Sequence, residues 1–420
     1  MRALRVGAGF VMLGGAAFAG DLPVLKMRPQ TIDAAIEIGY GLAVADVDGD
    51  GTDDVLLADA KQIVWYRAPA WEKFVMTDAL TRQDHVCIAA RDLDGDGKAE
   101  VAVGAEWNPG DTVNSGAVFL LEAPADRKEK WTARRLPHEP TTHRMAWVRT
   151  AEKEFSLAVL PLHGRGNKNS AGTGVEFLGY EWPWRAESEP VRLWPTEPAL
   201  HATHNLDVLP AGEGGSETIL AATKEGVRLV DLRKTTEAPR TITTTVAGEV
   251  RSGWLGDGRR FVATIEPMHG NQLAVYQAGE SGSELESLAW GDWSGSRVVL
   301  DENMVQGHAL AVGDLLGVGS DQIVVGWRGD GRGGRSGNVG IKVWVWDAAE
   351  AAWRVAAVVD DGQMACEDLK VADLNGDGRL DIVAAGRATK NVVIYWNETT
   401  ALKGQEAKER PIRTPAESGD

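Results

Sequence analysis

The stretch Asp46-Val-Asp-Gly-Asp-Gly-Thr-Asp-Asp54 decides the fold of this chain, because the same pattern returns at residues 92–100 and 373–381. Each copy lies between two short apolar runs, which predicts a tight hairpin joining two β-strands. Flanking strands, rather than helices, distinguish these hairpins from an EF-hand. A hairpin that recurs along a chain indicates a repeat architecture.

The acidic residues of these hairpins have the spacing of a calcium loop. Side-chain oxygens at positions 1, 3, 5 and 9, with a carbonyl at position 7, can surround a hard cation, and the glycines permit the tight curl. The predicted calcium ligands are Asp46, Asp48, Asp50, Asp54, Asp92, Asp94, Asp96, Glu100, Asp373, Asn375, Asp377 and Asp381. A related stretch from Asp314 has Leu316 and Val318 at positions 3 and 5, so no ion is expected there.

Composition favours a repetitive all-β protein. Gly is abundant (49), Trp is frequent (16), and long segments with helical periodicity are missing. The formal net charge of −17 argues against nucleic acid or an anionic membrane as partner. Only Cys87 and Cys366 are present, which excludes a disulfide framework and predicts buried thiols, with a single bridge left open.

The two ends of the chain differ from its middle in their sequence pattern. Residues 1–19 have a basic start, a short apolar stretch and an Ala-x-Ala site, which predicts a signal peptide and a secreted or periplasmic protein. No later segment is long and apolar enough to insert into a membrane. Residues 20–400 are predicted to form the folded domain, and residues 401–420 a disordered polar tail.

Aligning the apolar strand before each hairpin reveals seven units rather than three. Their inner strands are predicted to start at Tyr40, Val86, His143, His204, Arg251, His308 and Glu367. Each unit shows a second and a third strand, and the first six a fourth, so the fold class is an all-β, seven-bladed β-propeller of four-stranded blades. The last unit lacks a fourth strand, and the N-terminal segment 22–33 is predicted to supply it and close the ring.

The same alignment predicts a ring of polar side chains. Because inner strands run beside the central channel, the first position of each should lie at one mouth of the channel. Histidines, a glutamate, an arginine and a tyrosine converging there can bind a metal and move protons. The connections between second and third strands add a further polar set on that side. It comprises Trp107, His163, His269, Asn271, Arg328, Arg387 and Lys390.

The acidic hairpins resemble those of FG-GAP/VCBS repeat propellers, a family related in pattern to the heads of integrin α-subunits. A closer resemblance rests on Leu162-His-Gly-Arg-Gly-Asn-Lys-Asn, Glu266-Pro-Met-His-Gly-Asn-Gln and Gly386-Arg-Ala-Thr-Lys-Asn. These motifs are similar to the propeller domain of the aldos-2-ulose dehydratase/isomerase family. The resemblance implies dehydration of a keto-sugar, and it does not extend to the isomerase activity that is associated with the cupin domains of that family.

These observations lead to the hypothesis of an exported sugar lyase that performs metal-assisted β-elimination on a small carbohydrate, namely 1,5-anhydrofructose, an aldos-2-ulose or a 3-keto-glycoside. A divalent metal, taken as Zn²⁺, is expected on His204, His269 and His308. The predicted catalytic residues are His143 as the base, Tyr40 and Glu367. The predicted substrate-binding residues are Arg251, Arg328, Arg387, Lys390, Trp107, His163 and Asn271.

Two alternatives stay open at this point. One is a non-catalytic FG-GAP-type propeller that binds carbohydrate or protein through exposed loops. The other is a hydrolase, which is disfavoured because no pair of carboxylates forms an acid/base couple. The concentration of unusual residues toward the channel, rather than in outer loops, favours the enzyme.

Overall fold

Seven four-stranded antiparallel sheets form a ring in this computed structural model. The structure describes residues 22–185, 187–195, 199–211, 215–277, 290–291, 293–330 and 338–400. The predicted signal peptide and the tail from residue 401 lie outside them. Within these residues the only helical element is one 3₁₀ turn, Ser294–Ser296. The predicted all-β class is confirmed.

The blades follow one another along the chain. Blade 1 contains β2 Gly41–Ala45, β3 Asp54–Ala58, β4 Gln62–Arg67 and β5 Glu72–Asp78. Blade 2 contains β6 Cys87–Arg91, β7 Glu100–Ala105, β8 Ala117–Glu122 and β9 Thr132–Leu136. Blade 3 contains β10 Thr142–Ala151, β11 Glu154–Pro161, β12 Leu178–Glu181 and β13 Val191–Arg192. Blade 4 contains β14 Thr203–Leu209, β15 Thr218–Thr223, β16 Gly226–Asp231 and β17 Arg240–Thr241.

The remaining blades complete the ring. Blade 5 contains β18 Glu249–Trp254, β19 Arg260–Glu266, β20 Gln272–Gln277 and β21 Val298–Asp301. Blade 6 contains β22 Gly307–Gly313, β23 Gln322–Trp327, β24 Gly340–Asp347 and β25 Ala352–Asp361. Blade 7 contains β26 Cys366–Ala372, β27 Asp381–Gly386 and β28 Asn391–Asn397, with β1 Met27–Asp33 as its outer strand.

The N-terminal strand closes the ring, as predicted. Strand β1 pairs antiparallel with β28, so that Met27 lies opposite Asn397 and Thr31 opposite Val393. The indole of Trp396 donates a 2.8 Å hydrogen bond to the side chain of Gln30. The seven inner strands contact one another in chain order, and β26 returns to β2. Pairing the first strand with the last covers an edge that would otherwise be open.

Seven buried apolar clusters hold neighbouring blades together in the described part of the chain. Between blades 1 and 2, Trp65 and Leu56 pack with Val103, and every other pair of neighbours shares a comparable layer. The alternation of each strand sends one face to the preceding blade and the other to the following blade. Truncating a buried leucine in such a layer costs about 2–5 kcal/mol. Cys87 and Cys366 are buried free thiols, as predicted.

One strand lies later than its pattern predicts. The apolar pattern Val175-Glu-Phe-Leu predicts the third strand of unit 3 from Val175, but β12 begins at Leu178. The amide of Val175 instead donates to the carbonyl of Leu200, which enters blade 4. The long connection 162–174 therefore bridges two blades before the strand begins.

Candidate functional site

A β-bulge in the inner strand presents one polar side chain in each of four blades. Strand pairing skips His143 in β10, His204 in β14, His308 in β22 and Glu367 in β26. The residues on either side of each skipped position remain paired with the second strand. A bulge releases one residue from the ladder and re-aims its side chain. The sequence places these residues at the start of the strand, and the bulge is what turns them toward the axis.

The same level of the ring is completed by Tyr40, Val86 and Gly248, each just before its inner strand. These residues and the four bulge residues are together called the channel mouth. Arg251 was predicted here but is displaced by three positions, because β18 runs without a register shift and pairs Arg251 with Ala263. Its guanidinium donates to the carbonyls of Leu206 and Val250, deeper in the channel.

A missing side chain in blade 5 lets a loop enter the mouth. A Cβ on Gly248 would lie 2.9 Å from the Cα of Met268 and 3.3 Å from the backbone nitrogen of His269. The turn after β19 therefore packs directly over Gly248. His269 takes a left-handed backbone conformation there, with φ of 50°. Blade 5 thus contributes a histidine from a turn rather than from its inner strand.

His204, His269 and His308 form the centre of the site. The Nε2 atoms of His204 and His269 are 2.7 Å apart. The ring of His308 lies 4.9 Å from that of His269 and 5.3 Å from that of His204, measured between centroids. One nitrogen from each ring lies within 4.8 Å of the others, a spacing that one metal ion can bridge. The sequence predicted this group as the metal ligands.

Backbone carbonyls fix which nitrogens of two of these rings are free. Nδ1 of His204 donates to the carbonyl of Gly248 at 3.0 Å, and Nδ1 of His308 donates to that of Glu367 at 2.6 Å. In each case the carbonyl belongs to the next blade. A neutral imidazole that donates through Nδ1 keeps its lone pair on Nε2. Both rings are therefore held in the tautomer that a metal ion requires.

The site keeps its histidines neutral. Burial, followed by the charge of Arg144, lowers the pKa of His204 to about 3. Burial and Arg328 hold the pKa of His308 well below its ordinary value. Desolvation, followed by the charges of His204 and Arg328, also lowers the pKa of His269, although this residue is exposed on its turn. A neutral ring is a metal ligand, whereas an imidazolium is not.

A buried carboxylate behind His204 was missed by the sequence reasoning. Oε1 of Glu249 lies 3.2 Å from Nδ1 of His204, and Oε2 accepts a hydrogen bond from the amide of Asn205. Burial raises the pKa of Glu249 to about 7, although Arg251 and Arg144 act in the opposite direction. A carboxylate beside the distal nitrogen of a histidine ligand is a common outer-shell partner of metal sites. Glu249 was missed because the sequence alignment placed Arg251, three positions too late, at the mouth position of blade 5.

His143 lies at the edge of the cluster, next to a cationic side chain. Its ring stacks on Trp107 with centroids 4.8 Å apart and lies 4.7 Å from the ring of His204. Arg144 donates to Nε2 of His143 at 3.2 Å. Burial and Arg144 hold the pKa of His143 well below its ordinary value. The nitrogen that a base would use is therefore engaged with a cation.

A charged network occupies the opposite half of the mouth. Arg328 donates to both carboxylate oxygens of Glu367 at 2.9 and 2.8 Å, and Arg387 donates to one of them at 2.8 Å. The guanidinium of Arg387 also lies 5.4 Å from the ring centre of Tyr40. The hydroxyl of Tyr40 donates to Asp84 at 3.0 Å. Burial and Asp84 raise the pKa of Tyr40, so the phenol stays protonated and acts as a donor.

Three residues of the predicted substrate set have contacts elsewhere. His163 bridges to Ala202 and exchanges backbone hydrogen bonds with the hydroxyl of Thr141. The amide of Asn271 donates to the carbonyl of Glu302. Lys390 is exposed at the turn before β28. Together with Arg251, these residues lie beside the charged half and the histidine cluster rather than within them.

The acidic hairpins lie at the far ends of the inner strands. In blade 1 the strand runs from Gly41, beside the mouth, to Ala45, beside the first acidic loop. Asp46, Asp48 and Asp50 bring one oxygen each to within 4.8 Å of one another, and Asp92, Asp94 and Asp96 do the same. Arg67 donates to Asp48 and Asp50 at 2.5 and 2.9 Å. A strand rise of about 3.3 Å per residue keeps these loops well apart from the histidines.

The ninth residue of each loop ties the hairpin to its blade. Asp54 accepts hydrogen bonds from the amides of Val47 and Ala68, and Asp381 accepts them from Leu374 and Asn397. Burial raises the pKa of Asp54 to about 7, and the charges of Asp48 and Asp46 add to that shift. Burial likewise raises the pKa of Glu100 to about 7.

Family comparison supports the repeat. A model of the FG-GAP-like repeat matches residues 37–103, and a model of the FG-GAP repeat matches residues 88–121. Comparison with curated protein sequences gives no significant match. In the described part of the chain, no helix is long and apolar enough to cross a membrane.

Structural comparison agrees on the fold. A chain in the crystal structure of a mitotic checkpoint complex is similar, with 13% identity and a TM-score of 0.55 over 91% of this chain and 98% of that one. The β-propeller domain of Cps50 (Swd1) from Myceliophteria thermophila gives 10% identity and a TM-score of 0.49 over 88% of this chain and 99% of that one. The first likeness shows the fold alone, and the resemblance to aldos-2-ulose dehydratase/isomerase stays a prediction. The chain is a seven-bladed β-propeller, and models of FG-GAP and FG-GAP-like repeats match residues 37–121 in its first two blades.

Proposed function

We propose that this protein is an exported carbon–oxygen lyase that uses a divalent metal to eliminate water, or another oxygen leaving group, from a keto-sugar. One observation carries the proposal. Neutral imidazoles from blades 4, 5 and 6 converge on one point, and the guanidinium groups of Arg144, Arg328 and Arg387 lie around them. Packing alone does not account for such a group at the mouth of a channel.

The three histidines fit a catalytic transition-metal site. Imidazole nitrogens suit Zn²⁺ and related divalent ions, and three protein ligands leave a position for substrate. Nδ1 of His204 and of His308 is already held by backbone carbonyls, and Glu249 stands behind His204. When bound, the metal would polarise the substrate carbonyl as a Lewis acid.

The residues of the chain would stabilise the charge that develops on the substrate. Loss of the α-proton leaves an enolate, and positive groups placed beside its oxygen lower the barrier. Arg328 and Arg387 are held in place by Glu367, so they need little reorganisation during the reaction. Tyr40 remains protonated and donates to Asp84, so its hydroxyl oxygen can accept a hydrogen bond from a sugar hydroxyl. Trp107 offers an aromatic face beside His143, which suits a sugar ring.

The substrate class rests on the motif resemblance together with this chemistry. The candidates are 1,5-anhydrofructose, an aldos-2-ulose such as glucosone, and a 3-keto-glycoside. In each, a carbonyl acidifies the hydrogen on the adjacent carbon, and an oxygen leaving group sits one carbon further. Breaking that carbon–hydrogen bond and then the carbon–oxygen bond yields an unsaturated ketone and water or an alcohol.

The acidic hairpins have a separate, structural role in this proposal. We infer that the loops starting at Asp46, Asp92 and Asp373 bind calcium, whereas the loop starting at Asp314 does not. Burial, with a smaller contribution from the neighbouring carboxylates, raises the pKa of Asp54 and of Glu100, so ionising these groups without a cation has a free-energy cost. Calcium would remove that cost and hold each hairpin closed.

Metal analysis of the purified protein, paired with an ultraviolet assay for enone formation, tests the proposal. We expect a transition metal beyond calcium, at one equivalent per chain, and an enone product from at least one of the three substrate types. Absence of that metal together with absence of turnover would leave the alternative, a propeller that binds carbohydrate or protein without chemistry.

A further inference from the structure

The turn that carries His269 is closed by two residues that face each other across the hairpin. Glu266 is the last residue of β19 and lies opposite Gln272, the first residue of β20. Directly paired residues of an antiparallel ladder point to the same face of the sheet, so these two side chains project side by side. His269 lies between them in the chain. Any group that holds both ends of the turn therefore also limits where this imidazole can lie.

Arg297, directly before β21, bridges the two ends of the turn. Its Nε donates to Oε2 of Glu266 at 2.8 Å, and its Nη2 lies 2.7 Å from the same oxygen. Nη2 also donates to the side-chain oxygen of Gln272 at 2.7 Å. A guanidinium presents its donors in a rigid planar fork, so one side chain can hold two acceptors in fixed directions. Arg297, Glu266 and Gln272 are together called the turn clamp.

The carboxylate of the turn clamp is buried and surrounded by donors. Oε1 of Glu266 accepts hydrogen bonds from the hydroxyls of Thr264 and Tyr276 at 2.7 and 2.6 Å. In the described part of the chain, Arg297 is the one cation within ion-pair distance of this carboxylate. Glu266 is 1% exposed, and removing one partner of a buried ion pair is strongly destabilising. We therefore expect the end of β19 to shift when Arg297 is lost.

The backbone of this turn contacts the segments that carry the two other histidines of the cluster. The amide of Gly307 donates to the carbonyl of Gly270 at 2.8 Å, and Gly307 directly precedes His308. On the other side the turn packs over Gly248, whose carbonyl accepts the hydrogen bond from His204. A shift of the turn would therefore change the spacing of all three imidazoles.

We propose that Arg297 is a positioning residue, which holds Glu266 and Gln272 together and so fixes His269 in the three-histidine cluster. This inference deepens the proposed function and rests on it for the metal, whereas the position of the ring can be measured without metal. The guanidinium acts through the turn and touches neither metal nor substrate. A ligand group that is held in place beforehand loses less conformational freedom on binding, so the turn clamp raises the affinity for a divalent metal.

Metal affinity gives the first test, measured on the full-length protein with Zn²⁺ or Co²⁺ in competition with a chromophoric chelator. We expect Arg297→Gln to lower the affinity about 10- to 100-fold, the effect of losing a group that orients a metal ligand. Arg297→Lys keeps a positive charge beside Glu266 but lacks the planar fork that reaches Gln272. It should therefore recover only part of the lost affinity. Wild-type affinity in Arg297→Gln would overturn the assignment.

Arg91→Gln is the matched control for loss of stability. Arg91 donates to both carboxylate oxygens of the largely buried Glu217 at 2.8 and 3.0 Å, and it lies at the end of β6 far from the channel mouth. We expect this variant to lower the melting temperature, as Arg297→Gln does, and to keep the wild-type metal affinity. An equal loss of affinity in both variants would show general destabilisation and would overturn a positioning role.

A double-mutant cycle tests whether Arg297 acts through His269. If it does, Arg297→Gln should change the metal affinity little once His269→Ala has removed the ligand that the turn clamp holds. An undiminished effect of Arg297→Gln in the His269→Ala background would overturn the assignment.

The metal-free protein gives a readout that does not depend on the proposed function. Nε2 of His204 and Nε2 of His269 are 2.7 Å apart, within hydrogen-bond distance. Nitrogen NMR of isotope-labelled histidines should detect this hydrogen bond in the wild type and in Arg91→Gln, and its loss in Arg297→Gln. An intact hydrogen bond in Arg297→Gln would overturn the assignment. If the wild type binds no divalent transition metal, the proposed function fails, and this comparison still decides whether Arg297 positions His269.

Discussion

His204 and His269 meet through Nε2 atoms 2.7 Å apart, although 65 residues separate them and they belong to neighbouring blades. His204 comes from a bulge in an inner strand, and His269 comes from a turn that packs over Gly248. Neither residue forms a metal site by itself. Their meeting depends on the angle between two blades and on the absence of a side chain at residue 248.

Removing a predicted ligand tests the centre of the site. We expect His204→Ala and His308→Ala each to abolish stoichiometric transition-metal binding and turnover, because two remaining imidazoles leave too few ligands. Elemental analysis and the enone assay measure both effects. Asn271→Ala is the matched control. It should keep its transition metal, and its melting temperature in the presence of calcium should change little. Full metal content in both histidine variants would contradict the ligand assignment.

The carboxylate behind His204 should tune metal affinity. Glu249→Gln keeps the size of the side chain and its contact with Asn205, but removes the negative charge beside Nδ1 of His204. We expect metal affinity to fall about 10- to 100-fold. A competition titration with a chromophoric chelator measures the change. Unaltered affinity would show that the carbonyl of Gly248 orients the ring unaided.

Filling the gap in blade 5 should disturb His269. In Gly248→Ala the new methyl group would lie 2.9 Å from the Cα of Met268, so the turn must shift. We expect a stability loss of about 1–3 kcal/mol and weaker metal binding. Denaturant unfolding and metal titration report the two effects. Gly295→Ala, where a Cβ meets nothing within 4 Å, is the control that should change neither.

Removing calcium should destabilise the propeller. Because EDTA also strips a transition metal from the histidines, recovery on adding back calcium alone isolates the calcium effect. At free calcium 100-fold above Kd, each site contributes about 2.7 kcal/mol. EDTA followed by calcium add-back should lower and then restore the melting temperature, and Asp48→Ala should reproduce part of the loss. An EDTA-treated protein that melts at the same temperature as the calcium-loaded one would count against calcium at these loops.

The effect of calcium should grow with pH. The pKa of Asp54 and of Glu100 is raised to about 7 in the folded chain, so the folded state binds protons more tightly than the unfolded state between about pH 4 and 7. Without calcium, stability is therefore greatest at low pH within this window and falls as pH rises through 7. Calcium offsets that loss, so its stabilising effect should be larger at pH 8 than at pH 5. If calcium raised the melting temperature equally at pH 5 and pH 8, the result would contradict the raised pKa of Asp54 and of Glu100.

The fold could be predicted nearly in full from the sequence. Period-two apolar strands, repeated acidic hairpins and the missing fourth strand of the last unit predicted seven blades and the closing role of segment 22–33. These features are local, so each can be recognised without knowing its neighbours. The exceptions are the late start of β12 and the displaced alignment around Arg251, where a connection or a strand has no hairpin to mark its register.

By itself, the sequence determined the number of blades and which residues stand near the channel mouth, because strand alternation and turn chemistry are local properties. Only the tertiary structure decided how those residues combine. It brought His269 over Gly248, paired Glu367 with two arginines, engaged His143 with Arg144 and joined His201 to Glu225. Such contacts depend on bulges, inter-blade angles and missing side chains. Apart from the adjacent His143 and Arg144, the partners in each pair lie 20 or more residues apart, so no short window of sequence contains both.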